Sequence, residues 1–243
     1  IYYVFHSPAS LIPKRTIFIK QIRKKYINLS FIAVSESVKV DALPYIGKLK
    51  INVIHHGIDF DKFNAKPHYL DKEKLKILSI SALEEWKGIQ DVIRLLGDKE
   101  LRNKFEYCVI GEGAYKNELE NLISELDISS SVILKDNENN IEEIFANYDI
   151  FCHLSDGEAF GLSLFEAMAC GVPSIVYDIP PFDLIFTSNS VIKVKNKSQI
   201  ELKESLLNLM DKNKRKKIGK AGQIFVHENF SIESMAKKYF ETI

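Results

Sequence analysis

The sequence has no excess of charge of either sign: 33 Lys and Arg face 33 Asp and Glu over 243 residues. Proteins whose main partner is a phosphate backbone carry a clear positive excess, so nucleic acid is not expected as the partner here. Long apolar runs are also missing. No stretch approaches the ~18 residues of a membrane-crossing helix, and the short start Ile1–Phe5 has no basic leader of the kind a signal peptide shows. Cysteine is scarce, with three residues and no C-x-x-C pair. Cys108 and Cys152 sit in apolar, strand-like runs and Cys170 closes a helical pattern, which predicts buried thiols in a reducing compartment rather than disulfides or metal ligands. No internal repeat and no low-complexity segment interrupts the chain.

What the sequence does have is alternation. From Lys74 onward, short apolar runs alternate with helical periods. Lys76–Ile80, Tyr107–Ile110, Val132–Leu134, Ile150–Leu154, Ser174–Tyr177 and Val191–Val194 read as strands. Segments 89–96, 114–126 and 141–148 read as helices, and two or three helices close the chain. Repeated strand–helix units with continuously apolar strands predict an α/β fold with a parallel sheet covered on both faces. The region before residue 60 repeats the theme more sparsely, with strands at Tyr2–Phe5, Phe31–Val34 and Ile51–Ile54, and Ser35 placed to cap a helix. A polar stretch from Gly57 to Lys74 separates the two regions. The expected organisation is a partial N-terminal domain over 1–58, a C-terminal domain over 59–228 and a closing helix over 229–243. Three strands are few for the first of these, and the chain starts without Met, so the front of that domain is expected to be absent.

The densest chemistry lies in 156–173, Asp-Gly-Glu-Ala-Phe-Gly-Leu-Ser-Leu-Phe-Glu-Ala-Met-Ala-Cys-Gly-Val-Pro. It joins two strands through a loop and a helix. In open α/β sheets, ligands bind where a strand hands over to a helix, and a helix start offers free backbone N–H groups to an anion. Glu158 precedes that helix, and Glu166 lies roughly 9 Å along its axis from Phe160, at 1.5 Å per residue. Gly161 allows close approach of the backbone. Two carboxylates on either side of an anion-binding helix start suggest a phosphate flanked by hydroxyl-gripping acids.

Glu158 and Glu166 with Phe160-Gly161, Ala167-Met168-Ala169 and Gly171-Val172-Pro173 resemble the E-x7-E signature of the retaining glycosyltransferases of family four. The resemblance extends along most of the chain. Ile32–Glu36 resembles the last strand and helix start of that family's N-terminal domain, and Val53–Asp59 its interdomain segment, which usually reads N-G-I/V-D. Trp86-Lys87-Gly88 and Gly111-Glu112-Gly113 resemble its two glycine turns, and Phe230-Ser231 with the last helix resembles the helix that crosses back to the first domain. The family implies the GT-B architecture of two facing Rossmann-like domains, here with a Rossmann-like parallel-sheet C-terminal domain and a partial N-terminal one.

It further implies a retaining hexosyltransferase of the cytoplasm that takes a nucleotide diphosphate sugar, a UDP- or GDP-sugar, as donor and a glycan or lipid-linked acceptor. No metal or other cofactor is implied, and no protein nucleophile. Carried over position by position, the resemblance gives Glu158 to the donor sugar, Glu166 to the ribose, and Lys87 to the diphosphate leaving group. Gly161, Leu162 and Ser163 offer backbone N–H groups to the same phosphates, with Phe160, Gly111 and Gly113 in the donor-binding loops. His6, at the end of the first strand, matches a histidine that faces the donor sugar. His55 and His56 with Asp59 and Asp61 are not expected to share a metal, because neighbouring strand residues point to opposite faces. The basic segment 14–26 is compatible with a solvated helix face or with a peripheral contact at the cytosolic membrane surface.

Three departures from the family pattern stand out. Ala82 occupies a position where relatives commonly carry an arginine that shares the diphosphate. The family's glycine-rich segment after Pro180-Pro181 is replaced by glycine-free residues 182–195. The expected absence of the front of the first domain leaves a non-catalytic or partner-dependent nucleotide-sugar-binding module as the alternative to a complete enzyme.

Overall fold

The computed structural model describes residues 2–7, 18–19, 21–22, 25, 29–46, 49–67, 69–186 and 189–242. The basic segment 14–26 falls largely outside these residues. Two parallel sheets form the framework. The smaller is built from β1 (Tyr2–Phe5), β2 (Ser30–Ala33) and β3 (Ile51–Val53) in the order β1-β2-β3, with helix α1 (Glu36–Ile46) following β2. The larger contains β4 (Leu75–Ile80), β5 (Phe105–Ile110), β6 (Val132–Lys135), β7 (Ile150–His153), β8 (Ser174–Tyr177) and β9 (Ile192–Val194), in the order β6-β5-β4-β7-β8-β9.

All pairings in the larger sheet are parallel. The connecting helices are α2 (Ile89–Leu96), α3 (Lys99–Lys104), α4 (Lys116–Glu125), α5 (Ile141–Ile144), α6 (Leu162–Ala169), α7 (Phe182–Ile185) and α8 (Gln199–Asn208). Every residue of β7 and β8 is buried, as strands covered on both faces require. The strand order reverses between β4 and β7. Such a switch point opens a crevice at the carboxyl ends of the two central strands, and the two loops leaving it are those carrying Lys87 and Glu158.

Helices α9 (Lys212–Asn229) and α10 (Ile232–Thr242) end the chain. Between them, Ser231 forms a parallel bridge with Ile58. Ile58 N–H donates to Phe230 O at 2.8 Å and Ile232 N–H to Ile58 O at 3.3 Å. Gly57 has no room for a side chain there, since a Cβ would sit 2.5 Å from the Cα of Ile232. Helix α10 then runs along the smaller sheet, and Tyr2 Oη donates to Thr242 O at 2.7 Å.

A chain of rings ties this crossing to α6. Phe160 stacks on Phe165 with centroids 4.3 Å apart, and Phe165 meets Phe230 at 4.8 Å. His55 packs against both Phe160 and Phe230 at 5.7 and 5.5 Å. Contacts of this kind add ~0.5–1.5 kcal/mol each beyond simple burial, so the loop before α6 is held by both sheets. All three cysteines are free thiols and buried.

Candidate donor site at the switch point

The turn after β4 is shaped to present Lys87. A single 3₁₀ turn spans Glu85–Lys87, and Gly88 ends it in the left-handed region at φ 68°. A Cβ on Gly88 would lie 2.0 Å from Leu154 O, so only glycine lets this turn rest against the end of β7. Asp156 N–H donates to Trp86 O at 2.7 Å and Gln90 Nε2 to Glu85 O at 2.8 Å, which fixes the turn from both sides. The Lys87 ammonium lies over the Trp86 ring, 4.0 Å from its centroid.

Gly111 and Gly113 work at one remove. Cβ atoms there would meet Ser81 O at 1.9 Å and Leu83 O at 2.2 Å. Leu83 N–H donates to Glu112 O at 2.8 Å and Tyr115 N–H to Leu83 O at 2.9 Å. The glycine turn after β5 thus props the loop that leads to Lys87.

Glu158 is the hub of the site. Its Oε1 receives His153 Nε2 at 2.9 Å, Ser155 Oγ at 2.9 Å, and the Lys87 ammonium in a short ion pair. Both members of the ion pair are nearly buried, with side chains 12 % and 10 % exposed for Lys87 and Glu158. Burial by itself would raise the carboxyl's pKa. The His153 hydrogen bond and charge, with Lys87 behind them, outweigh it and hold Glu158 at about 2. An ionised carboxylate only accepts, so His153 carries its proton on Nε2 and donates. These three donors converge on Oε1 and leave Oε2 for another hydroxyl.

Gly161 opens α6 in the left-handed region at φ 89°, and a Cβ there would lie 2.9 Å from Phe182 Cζ and 3.3 Å from His153 Nε2. The first intrahelical bond runs from Leu164 N–H to Gly161 O at 3.0 Å. The N–H groups of Leu162 and Ser163 therefore precede the hydrogen-bonded ladder and carry the positive end of the helix dipole.

A cleft of about 290 Å³ joins these parts. His6, Lys87, Glu158, Phe160, Gly161, Leu162 and Ser163, all singled out by the sequence, line it together. Gly111 and Gly113 do not appear in its lining, in keeping with their propping role. Glu166 is not in its lining either. It sits on α6 with Lys62 and Glu142 as charged neighbours, and Lys62 Nζ lies 3.6 Å from Glu142 Oε2. Burial, reinforced by Glu142 and only partly offset by Lys62, pushes Glu166 up to about 7.

Three further side chains belong to the site, and the sequence reading did not single them out for it. His153 ends a fully buried strand, and Ser155 is buried just beyond. A titratable residue inside an otherwise apolar strand, five positions before an acid, was the available signal. The third is His56. His55 and His56 lie past the end of β3 rather than on a strand, and their rings take different partners. His55 Nδ1 pairs with Val34 O at 2.9 Å, and His56 stacks on His6 with centroids 5.4 Å apart and 17° between planes. His56 also lines the cleft.

Comparison with known proteins places this geometry in a family. The family model described as glycosyl transferases group 1 matches residues 60–225, more than half of the chain, and the chain belongs to that family. An uncharacterized glycosyltransferase of Methanocaldococcus jannaschii is 27 % identical over 222 residues, 86 % of this chain and 56 % of its own length. N-acetyl-alpha-D-glucosaminyl L-malate synthase of Bacillus anthracis is 29 % identical over 187 residues, 75 % of this chain and 49 % of its own. The chain spans about half the length of these curated relatives.

Among solved structures, Anabaena HepE in complex with UDP and glucose superposes with a TM-score of 0.85 at 20 % identity, covering 99 % of this chain and 70 % of that one. WaaG, a glycosyltransferase involved in lipopolysaccharide biosynthesis, gives 0.80 at 17 % identity, covering 100 % and 74 %. The fold is that of the GT-B glycosyltransferases.

Proposed function

We propose that this chain binds a nucleotide diphosphate sugar in the cleft at the switch point and transfers its sugar, a hexose, to a glycan or lipid-linked acceptor with retention of configuration. The observation that carries the reading is the convergence of Lys87, Glu158, His6 and the start of α6 on one cleft at the ends of the two central strands. A diphosphate fits the N–H groups of Leu162 and Ser163 and the Lys87 ammonium. Charge grows on the departing phosphate as the glycosidic bond breaks, and preorganised positive groups there lower the barrier. Glu158, held ionised, accepts from the sugar hydroxyls through Oε2, and His6 closes the cleft from the smaller sheet.

The reaction needs no protein nucleophile in this reading. The leaving phosphate takes the acceptor's proton on the face from which it departs, so the new bond forms on that same face. The leaving-group charge falls to Lys87 and the helix start, and no metal is assigned a role. Glu166, further along α6, is the candidate for the ribose hydroxyls. UDP is the first nucleotide to test, because the HepE structures contain UDP and UDP-glucose. One relative's name, from Campylobacter jejuni, specifies a diphospho-undecaprenol acceptor, and the name of another, from Escherichia coli, specifies O-antigen biosynthesis. These names support glycan and lipid-linked acceptors as the class to screen. Among the described residues no helix is long and apolar enough to cross a membrane. Three buried free thiols suit the cytoplasm.

The test is release of UDP or GDP from a panel of sugar nucleotides with and without lipid-linked acceptors, with the product anomer read by NMR. Acceptor-dependent release with the donor's anomeric configuration kept is the expected result. An inverted product would overturn retention, and nucleotide binding with no transfer to any acceptor would overturn the enzymatic reading.

A further inference from the structure

The cleft holds little free positive charge for an anionic guest. Lys87 is its one permanently charged cation among the described lining residues, and Lys87 is already ion-paired with Glu158. His153 is committed as a donor to the same carboxylate. A diphosphate ester carries a negative charge on each phosphate, and both are to be taken out of bulk water. Burying charge without a partner is costly, and the usual outcome is that a nearby group changes its protonation to compensate. The remaining lining groups that can become positive are His6 and His56, which face the cleft as a stacked pair.

We propose, building on the donor-site reading above, that His56 takes up a proton when a nucleotide diphosphate sugar enters, so that the cleft gains a cation on binding. The groups around His56 define its state before binding. His6 stacks on one face from the end of β1, His55 precedes it in the chain, and the Phe160 ring meets it edge-on at 5.4 Å from the loop before α6. Lys87, Glu158 and His153 share its cleft, while Glu36 and Lys238 act on His55 behind it. Burial lowers the proton affinity of His56, and the charges of His6 and His55 lower it further. In the empty cleft His56 is therefore neutral at neutral pH, and the stack lacks the repulsion that two imidazolium rings would create. A diphosphate beside the pair reverses the balance, because a nearby negative charge favours the protonated ring. His56 is thus a binding residue whose charge depends on the ligand, and donor affinity falls as pH rises.

Isothermal titration of UDP-glucose tests this directly, because its diphosphate ester does not titrate near neutral pH. Runs at about pH 7 in two buffers of different ionisation enthalpy give the number of protons exchanged. The wild-type chain is expected to take up about one proton per ligand. Its affinity should fall by up to about tenfold per pH unit between the free-state and bound-state pKa of His56 and level off above the latter. His56→Gln should bind with uptake near zero and a flat pH profile, and circular dichroism confirms that it is folded. Wild-type binding with no proton uptake overturns the inference while leaving the donor site standing. Uptake that survives in His56→Gln and disappears in His6→Gln overturns the assignment to His56. Failure of the wild type to bind UDP-glucose, UDP or GDP overturns the donor-site reading, and this inference with it.

Discussion

Lys87 and Glu158 form an ion pair across the switch point of the larger sheet, one from the loop after β4 and the other from the loop after β7. The pair bridges the two central strands at their carboxyl ends, with His153 and Ser155 holding the carboxylate from behind. Without a ligand each group is the other's counter-ion. Breaking a nearly buried pair by deleting one partner is costly, because the survivor stays desolvated.

Gly88 is the hinge of the coupling. Its left-handed φ of 68° and its contact with Leu154 O leave no space for a methyl group. Gly88→Ala should cost about 1–3 kcal/mol. At ~2–4 °C per kcal/mol for a chain of this size, thermal melting should drop by several degrees, and nucleotide affinity should fall as the Lys87 turn lifts off β7. An unchanged melting temperature would show that the turn relaxes freely.

Glu158 supplies an acid-sensitive share of stability. Its pKa is depressed from 4.5 to about 2 in the folded chain, so its contribution is complete above the unfolded value and is lost as pH falls through the folded one. Wild type should melt above Glu158→Gln by a constant margin from neutral pH down to about 5, and the margin should shrink steadily below about 4.5. A margin independent of pH down to 3 would mean that the carboxylate is not held ionised.

Glu166 behaves in the opposite sense. Its folded pKa, raised from 4.5 to about 7, means that the unfolded chain ionises first. Stability present below 4.5 is then lost as pH rises towards 7. Glu166→Gln should match wild type near pH 4 and melt higher than wild type at pH 8, yet bind UDP more weakly if the ribose hydroxyls rest on this carboxylate. A variant that is more stable at pH 8 with unaltered UDP affinity would separate the titration from the binding role and remove Glu166 from the donor site.

Ala82 offers a gain-of-function test. It is exposed, next to Ser81, which lines the cleft. Ala82→Arg adds a bidentate cation within the loop that leads to Lys87, a geometry suited to phosphate. Fluorescence titration should show UDP binding about tenfold tighter, the equivalent of ~1.4 kcal/mol, and more sensitive to salt. No change would mean that the side chain is directed away from the cleft.

Much of this was legible in the sequence because it depends on local patterns. Strands buried on both faces, such as β7 and β8, appear as continuous apolar runs, and the Glu158–Glu166 spacing with its glycines marks a strand–loop–helix wherever it lies. Helix α3 leaves no mark in the sequence pattern because only Leu101 of its six residues is buried, so there is no period to read. Its start depends on Asp98, whose side chain accepts from Glu100 N–H. The segment 141–148, read as one helix, is α5 followed by a 3₁₀ turn at Phe145–Asn147.

The partners of Glu158 were less legible for a different reason. Lys87 is 71 positions away from it in the chain, and His56 meets His6 across 50 residues. Such encounters are set by strand order and by the return of the chain from Ile58 to Ser231, which no local pattern encodes. The site of Glu166 also differs from the sequence picture of two equivalent clamps: Glu158 lies at the cleft and is held ionised, while Glu166 lies apart from its lining with its proton held more tightly.

The central claim, that the Lys87–Glu158 cleft receives a nucleotide diphosphate, is tested most directly by calorimetric titration of UDP and GDP into the wild-type chain and into Lys87→Ala. The wild type should bind one of the two nucleotides at a single site, and the variant, shown by circular dichroism to be folded, should bind it at least about tenfold more weakly. Equal affinity in the two proteins, or no binding of either nucleotide to the wild type, would contradict the account.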